Sequence, residues 1–485
     1  MPVRLLSVTP ELHPLIKTGG LADVAGALPL ALAEHGVEVR SLLPAFPQVL
    51  KAVGRTKTVH SYKALFGGPA RLLATKVNGL DLLLLDSPRL FGARDGGPYT
   101  DLTGRDWPDN WQRFAALSAV AADVAAGAVA GWQADLVHAH DWQAAMAAPY
   151  VRHGRAPTTP VVLTVHNLAF QGRFDPSIFL DLGLPASAFS VEGVEYYGGV
   201  GFLKGGLQYA DAITTVSPTY ADEIRTPDFG MGLDGLLRGR GDAVQGIVNG
   251  IDNVEWNPET DRHLVAPFSV RSLAGRAANR RALENRFGLK GSAGPIFAVI
   301  SRLTWQKGID LIADSIEHIV AHGGRLVVLG SGDSAFEGAL LAAAARHPGL
   351  VGVVTGYDEP LAHLIQAGSD AILIPSRFEP CGLTQLYGLR YGTIPIAART
   401  GGLADTIIDA NDAALASACA TGFLHPPASG DALKTAISRA IALFRTPRVW
   451  QTMRKQGMRA DHGWGRSSAR YAALYRSLIN RSHAA

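Results

Sequence analysis

Val3-Arg-Leu-Leu-Ser-Val8, then Thr9-Pro-Glu-Leu-His-Pro-Leu-Ile-Lys17-Thr-Gly-Gly-Leu-Ala-Asp23, then Val24-Ala-Gly-Ala-Leu-Pro-Leu-Ala-Leu32 is the stretch whose reading decides the fold. Val3 to Val8 is an apolar run bounded by Thr9-Pro10 and reads as a strand. From Leu21 the apolar positions Leu21, Val24, Ala25, Leu28 and Leu32 recur at helical spacing. Gly36 stops that helix, and Val37 to Leu43 reads as the next strand. Strand, helix and returning strand make a βαβ unit, which builds a parallel sheet.

A second such unit begins at Ile296 to Ile300. It continues through a helix carrying Ile309, Ile312, Ile316 and Val320, stops at Gly323-Gly324 and returns as Leu326 to Leu329. Two starts this far apart in 485 residues predict two doubly wound α/β domains of Rossmann type, because one hydrophobic core rarely serves so long a chain. Further strands are predicted at Leu136 to Ala139, Val161 to Val165, Ala371 to Ile374 and Ile394 to Ala397. The polar clusters His140-Asp141, His166-Asn167 and Ser376 to Glu379 follow the carboxyl ends of these strands, where open α/β sheets bind ligands.

The boundary is expected in the turn-rich stretch that begins Val248-Asn-Gly-Ile-Asp252 and includes Asn257-Pro258, giving domains 1–248 and 249–464. The linker is short, so the domains are expected to face each other across a deep cleft. A last helix is predicted from Ser467 to Asn480, with Tyr471, Leu474 and Leu478 on one stripe. Periodicity leaves open which domain 465–485 covers, the first being one place for it.

Composition narrows the class of function. With 18% charged residues and a net charge of +3, no global field selects nucleic acid or an anionic membrane, so an anionic ligand must be held by local groups. No run has the length of a membrane span and no cleavage signal follows Met1, so the chain is expected to be cytoplasmic. Two cysteines, Cys381 and Cys419, are too few for a disulfide framework, and no zinc spacing is present.

The heptapeptide Lys17-Thr-Gly-Gly-Leu-Ala-Asp23 returns as Arg399-Thr-Gly-Gly-Leu-Ala-Asp405. Gly19 and Gly20 stand where a helix begins, either for steric reasons or to present N–H groups to an anion, and Lys17 beside that helix start is repelled by the dipole unless an anion sits there. Asp23 in the first turn suits the dipole on an exposed surface and suits a contact to ligand hydroxyls equally. In Ser301-Arg-Leu-Thr-Trp-Gln-Lys-Gly308, Arg302 and Lys307 lie between a strand end and a helix start, as a diphosphate clamp or as a solvated turn; Trp305 and Gly308 favour the clamp.

In Pro375-Ser-Arg-Phe-Glu-Pro-Cys-Gly-Leu-Thr-Gln-Leu386, Gly382 opens a helix whose start suits an anion, whereas Glu379 is repelled by phosphate and is better aimed at a sugar or a developing cation. Cys381 reads as a small buried residue rather than a nucleophile. His138 reads as a core residue, whereas Asp141 and His166 are placed to reach a ligand, and their spacing supplies no third metal ligand.

Together Lys17 to Asp23, His138-Ala-His-Asp-Trp142, Gly250-Ile-Asp252, Ser301 to Leu303, Gln306 to Gly308, Arg377-Phe-Glu-Pro-Cys-Gly-Leu383 and Thr400 to Leu403 resemble bacterial glycogen synthases and plant starch synthases over almost the whole chain. These are retaining glucosyltransferases of the two-Rossmann-domain GT-B type. The resemblance implies transfer of glucose from ADP-glucose to the 4-hydroxyl at the non-reducing end of an α-1,4-glucan, with no metal, no pyridoxal phosphate, no nucleic-acid partner and no membrane.

Carried over by motif, Arg302 and Lys307 resemble the cations that stabilise the departing diphosphate, and the stretch Cys381, Gly382, Leu383 and Thr384 its helix-end cradle. Glu379 resembles the essential acid near the donor glucose. Lys17, Gly19, Gly20 and Asp23 resemble donor contacts, His166, Asp141 and Asn249 sugar contacts, and Tyr357 the ring stacked on adenine. Many relatives in the wider superfamily carry a second glutamate eight residues after the first. Here that position is Tyr387, a departure that starch and glycogen synthases share.

The implied mechanism is attack by the acceptor hydroxyl on the face the leaving phosphate vacates, with the domains closing to exclude water. A glucan phosphorylase, a non-catalytic sugar-nucleotide sensor and a dinucleotide oxidoreductase are the competing readings. The first needs a lysine-bound pyridoxal phosphate, the second would tolerate loss of Glu379, and the third lacks its Gly-x-Gly-x-x-Gly turn.

Overall fold

Val3–Val8 is a strand, Gly20–Ala33 a helix, and Val37–Pro44 returns parallel to the first strand with Leu5 paired to Val39. The structure, a computed structural model, describes residues 2–290 and 294–484. It divides into two units, Met1–Gly250 with Trp464–Ala485, and Ile251–Gly463. The division falls after Gly250, two residues beyond the place read from the turn-rich stretch.

The N-terminal unit holds a nine-stranded sheet. Across it the strands run Val244–Gly246, Ala212–Thr215, Val161–Val165, Leu136–His140, Val3–Val8, Val37–Pro44, Leu80–Asp86, Gly68–Val77 and Lys57–Leu65. All pair in parallel except the last two, which fold back as an antiparallel edge. A small antiparallel sheet of Arg173–Phe174, Glu195–Tyr196 and Gly199–Gly201 lies apart from it. Neither antiparallel feature is foreshadowed by the strand and helix alternation of the sequence.

The terminal helix, Gly465–Ala484, belongs to this unit. Trp464, Tyr471, Leu474, Tyr475 and Leu478 bury themselves against Leu5, Val24, Leu28, Leu32 and Leu136, so a stripe from the far end of the chain completes their core. Ser467 Oγ also donates to the Val248 carbonyl.

In the C-terminal unit six parallel strands run Val351–Thr355, Arg325–Gly330, Ile296–Ile300, Ala371–Ile374, Ile394–Ala398 and Phe423–His425. Counted along the chain this is the order 3-2-1-4-5-6 of a dinucleotide-type sheet. One face is covered by Ile309, Ile312, Ile316 and Ile319 of helix Ile309–Ala321, the other by Leu283, Leu361 and Ile365. The strands are continuously apolar because both faces are covered.

In both sheets the chain order reverses beside the first strand. The connections leaving Ile296–Ile300 and Ala371–Ile374 diverge, as do those leaving Val3–Val8 and Leu136–His140. Such a reversal opens a crevice at the carboxyl ends of the strands. Because Leu478 is fully packed in the N-terminal unit's core, Leu478→Ala is expected to cost about 2–4 kcal/mol and to lower that unit's melting by about 5–10 °C in calorimetry, while the C-terminal unit's transition stays in place.

Candidate active site

At the switch point of the C-terminal unit, two loops are packed backbone to backbone. Gly308, at φ +69°, brings the 301–308 loop so close to Pro375 that a Cβ there would lie 2.3 Å from the Pro375 carbonyl oxygen. Arg377 fastens the same loop from the other side. Its guanidinium donates to the Trp305 carbonyl, pairs bidentately with Asp310 at 2.8 and 2.6 Å, and lies 4.2 Å over the Trp305 ring. Arg377 is spent on this scaffold, and its pKa is raised by the Asp310 hydrogen bond.

The two cations expected to meet phosphate are thereby presented differently. Arg302 is exposed and makes no side-chain hydrogen bond or ion pair among the described residues. Lys307 is largely buried, and its Nζ sits 2.6 Å from Glu379 Oε2, which also accepts from Ser376 Oγ at 2.8 Å. Glu379 itself is 7% exposed. A carboxylate so buried needs such partners, and Lys307 and Ser376 supply them.

The Arg399 copy of the repeat turns out to hold this acid loop. A Cβ on Gly401 would fall 2.0 Å from the Glu379 carbonyl oxygen and one on Gly402 2.2 Å from that of Cys381. The Gly402 N–H donates to the carbonyls of Glu379 and Pro380, both at 3.1 Å. This N–H is therefore committed to the protein rather than offered to an anion. Beyond it, Gly382 takes φ +74°, Leu383 caps the helix Thr384–Tyr391, and buried Gln385 donates to the carbonyls of Cys381 and Gly382 at 3.0 and 2.9 Å. Cys381 is buried and forms no disulfide. Tyr357 is 77% exposed, with its hydroxyl donating to Glu359 at 2.7 Å.

In the N-terminal unit, the first copy of the repeat is open. Lys17, Gly19 and Gly20 are exposed at the start of the 14-residue helix, no atom lies within 4 Å of a Cβ built on Gly19, and Lys17 Nζ pairs with Asp23 at 2.7 Å. Glu11 sets the loop from beneath, accepting from the Thr18 N–H, the Thr18 hydroxyl and the Tyr99 hydroxyl.

Across the same switch point stands Asp141, with left-handed backbone at φ +55°. Its carboxylate accepts from the His166 N–H at 2.6 Å. Burial pushes Asp141 up to about 7, against the lowering effect of the His166 and Asn167 N–H groups and helped by the charge of Glu11. Strained backbone and a destabilised charge on one residue mark a functional position. His166 Nε2 meets His140 Nδ1 at 3.0 Å, and burial pushes the pKa of both rings down. Asn249 is buried, and its Oδ1 has no hydrogen-bond partner among the described residues, a deficit a bound hydroxyl would relieve.

His138 is the core residue its strand position predicts: fully buried, with Tyr475 O–H on Nδ1 at 2.9 Å and Thr164 Oγ1 on Nε2 at 2.6 Å. Asp310 and Glu11 carried no readable signal in the sequence, and Ser376 and Arg377 none beyond membership of a polar cluster at a strand end. Arg377, Asp310 and Glu11 act through contacts between segments far apart in the chain, Ser376 on Glu379 three residues away. The Pro375-to-Leu386 motif contains two of them, but nothing in its spacing separates the residue that meets a ligand from the residue that holds the loop.

Two family models match, the starch synthase catalytic domain over residues 4–239 and glycosyl transferases group 1 over residues 282–454. The chain is 60% identical to glycogen synthase 1 of Rhizobium meliloti (strain 1021) over 478 residues, covering 98% of this chain and 99% of that protein. It is 59% identical to a glycogen synthase of Mesorhizobium japonicum over 479 residues, with 99% of each covered. Among solved structures it matches the catalytic domain of starch synthase IV from Arabidopsis thaliana bound to ADP and acarbose, at TM-score 0.88 and 31% identity, covering 99% of this chain and 100% of that one.

Asp141 yields a prediction with a defined sign. Its carboxyl titrates near 7 instead of 3.8, so the stability of the neutral acid is present below about 3.8 and lost as pH rises through about 7. Asp141→Asn keeps the neutral form at every pH and tolerates the left-handed backbone. At pH 8 the variant is expected to be on the order of 2–4 kcal/mol more stable than the parent, an advantage that closes toward pH 4 in thermal melts, while its activity falls.

Proposed function

Because the chain belongs to the bacterial glycogen synthase and starch synthase family of glycosyltransferases, we propose that it transfers glucose from ADP-glucose to the 4-hydroxyl at the non-reducing end of an α-1,4-glucan, retaining the anomeric configuration and so extending glycogen. The observation that carries the reading is the switch point of the C-terminal unit, where exposed Arg302, Lys307 and Glu379 stand on two interlocked loops at the carboxyl ends of the first and fourth strands. The Arabidopsis relative, bound to ADP and acarbose, carries the same chemistry of partners: a nucleoside diphosphate and an oligosaccharide mimic.

As the bond from glucose to the diphosphate stretches, negative charge grows on the phosphate and positive charge on the sugar. Arg302 and Lys307 stabilise the first, with the helix start at Gly382 to Thr384 beside them. Glu379 stabilises the second. Lys307 is paired with Glu379, so its partly buried ammonium has an anionic partner within the protein and a diphosphate would add a second.

The acceptor hydroxyl attacks from the face on which the diphosphate leaves, its proton passing to the departing phosphate oxygen. Lys17, Gly19, Gly20, Asp23, Asp141, His166 and Asn249 are the N-terminal unit's contacts to donor and sugar, and Tyr357 is the platform for the adenine. The two cations and a helix start supply the charge that a metal would, so the scheme assigns no metal and no pyridoxal phosphate. In the described residues no helix is long and apolar enough to cross a membrane.

Incubating the purified protein and glycogen with ADP-glucose and with UDP-glucose in turn tests the reaction. Faster extension with ADP-glucose, unchanged after exhaustive chelation, is expected. Extension with neither donor, together with phosphate-driven release of glucose 1-phosphate, would sink the proposal in favour of a phosphorylase. Glu379→Gln is expected to lower kcat by about 10³-fold while ADP binding stays within a few-fold, whereas Lys307→Ala weakens both; calorimetric ADP titrations beside the assay separate the two.

A further inference from the structure

Behind His166 lies a hydrogen-bond chain that neither motif nor family membership assigns. His140 is the last residue of strand Leu136–His140, and Ser7 lies in the neighbouring strand Val3–Val8, paired with His138. Ser7 Oγ is 3.3 Å from His140 Nε2, and His140 Nδ1 is 3.0 Å from His166 Nε2. All three side chains are buried to within 9% of their surface, and Ser7 Oγ has no other hydrogen-bond partner among the described residues.

Counting protons along this chain leaves two arrangements. A neutral imidazole carries one N–H, so exactly one proton lies between His140 Nδ1 and His166 Nε2. If His166 donates it, His140 Nε2–H must donate to Ser7, and the Ser7 O–H is left as a buried donor without an acceptor. If Ser7 donates to His140 Nε2, then His140 Nδ1–H donates to His166 Nε2, and the remaining proton is on His166 Nδ1, which is not among the enclosed side-chain atoms lacking a hydrogen-bond partner in the described residues and so can be met by water or ligand. The second arrangement is preferred, because its one donor without a protein acceptor is the accessible His166 Nδ1–H rather than the enclosed Ser7 hydroxyl.

We infer that Ser7 and His140 are positioning residues that fix His166 as the tautomer carrying its proton on Nδ1, the nitrogen left without a protein partner, so that His166 meets the sugar as a hydrogen-bond donor and not as a base. His140 cannot turn away from this role. The ring of His138 lies against it at 4.2 Å between centroids, and His138 is itself held at both nitrogens by Tyr475 of the terminal helix and by Thr164. Burial keeps His140 neutral down to about pH 3 and His166 neutral as well, so the count holds across the working range. The role of His166 at the sugar rests on the proposed function; the tautomer does not.

The test has two arms. In ¹⁵N-histidine-labelled, ligand-free protein, long-range ¹H–¹⁵N spectra, with His166 assigned by loss of its signals in His166→Gln, are expected to show it protonated on Nδ1. Ser7→Ala should move it toward a mixture of tautomers. In glucosyl transfer, Ser7→Ala is expected to lower kcat about 5–20-fold with the KM for ADP-glucose changed less than about 3-fold. His140→Phe should lose about 10²-fold, and His140→Asn, whose amide nitrogen stands where Nδ1 stood, should recover most of that.

A wild-type His166 protonated on Nε2 overturns the inference whatever the activity. So does a kcat for Ser7→Ala equal to the parent's, or a His140→Asn no better than His140→Phe when both melt as the parent does. Absence of any glucosyl transfer in the parent protein strikes the proposed function and leaves the tautomer assignment standing on the spectra.

Discussion

The functional geometry of the C-terminal unit depends on the close approach of three stretches of backbone: 301–308, 375–383 and 400–402. Gly308 against Pro375, Gly401 against Glu379 and Gly402 against Cys381 all stand where a Cβ would meet a carbonyl oxygen at 2.0 to 2.3 Å. With side chains at these positions the loops would separate, and Lys307, Glu379 and the Gly382 helix start would no longer share one place. Arg377 adds the directional restraint, tying the Trp305 carbonyl and Asp310 to the loop that carries Glu379. Backbone packing and the Lys307–Glu379 pair together hold these loops in one place.

A common design shows in both units. Each has a parallel sheet whose order reverses beside its first strand, and at each reversal a lysine of a glycine loop is paired with a carboxylate, Lys307 with Glu379 and Lys17 with Asp23. At Lys307 such a pair keeps an ammonium in a partly buried place without an uncompensated charge. The units differ in where they spend stability. The N-terminal one holds Asp141 in a left-handed backbone with its carboxyl disfavoured as an anion and leaves Asn249 Oδ1 unpaired, whereas in the C-terminal one the acid Glu379 has its partners in place.

Much of this was legible beforehand because it is local. Val3–Val8, Val161–Val165, Ile296–Ile300 and Ala371–Ile374 form where their apolar runs place them, and helix Ile309–Ala321 follows its isoleucine spacing. Polar residues at strand ends could be named as site residues for the same reason. The antiparallel edge of Lys57–Leu65 and Gly68–Val77 was not legible, since its strands are half exposed and lack a continuous apolar run. The two copies of the repeat carry almost the same seven residues, yet one opens a 14-residue helix to solvent and the other packs its glycines beneath Glu379.

That contrast marks the division. By itself the sequence determined the α/β class, the two doubly wound units and the short list of Lys17, Asp141, His166, Arg302, Lys307 and Glu379, because hydrophobic period and strand-end position are properties of neighbouring residues. Only the tertiary structure decided which glycines stand open and which pack against a loop, that the terminal helix completes the first unit's core, and that Ser7 stands behind His140 and His166. These depend on what each residue meets across the fold, and hydrogen bonds and close backbone contacts between distant segments leave no periodic trace in the chain.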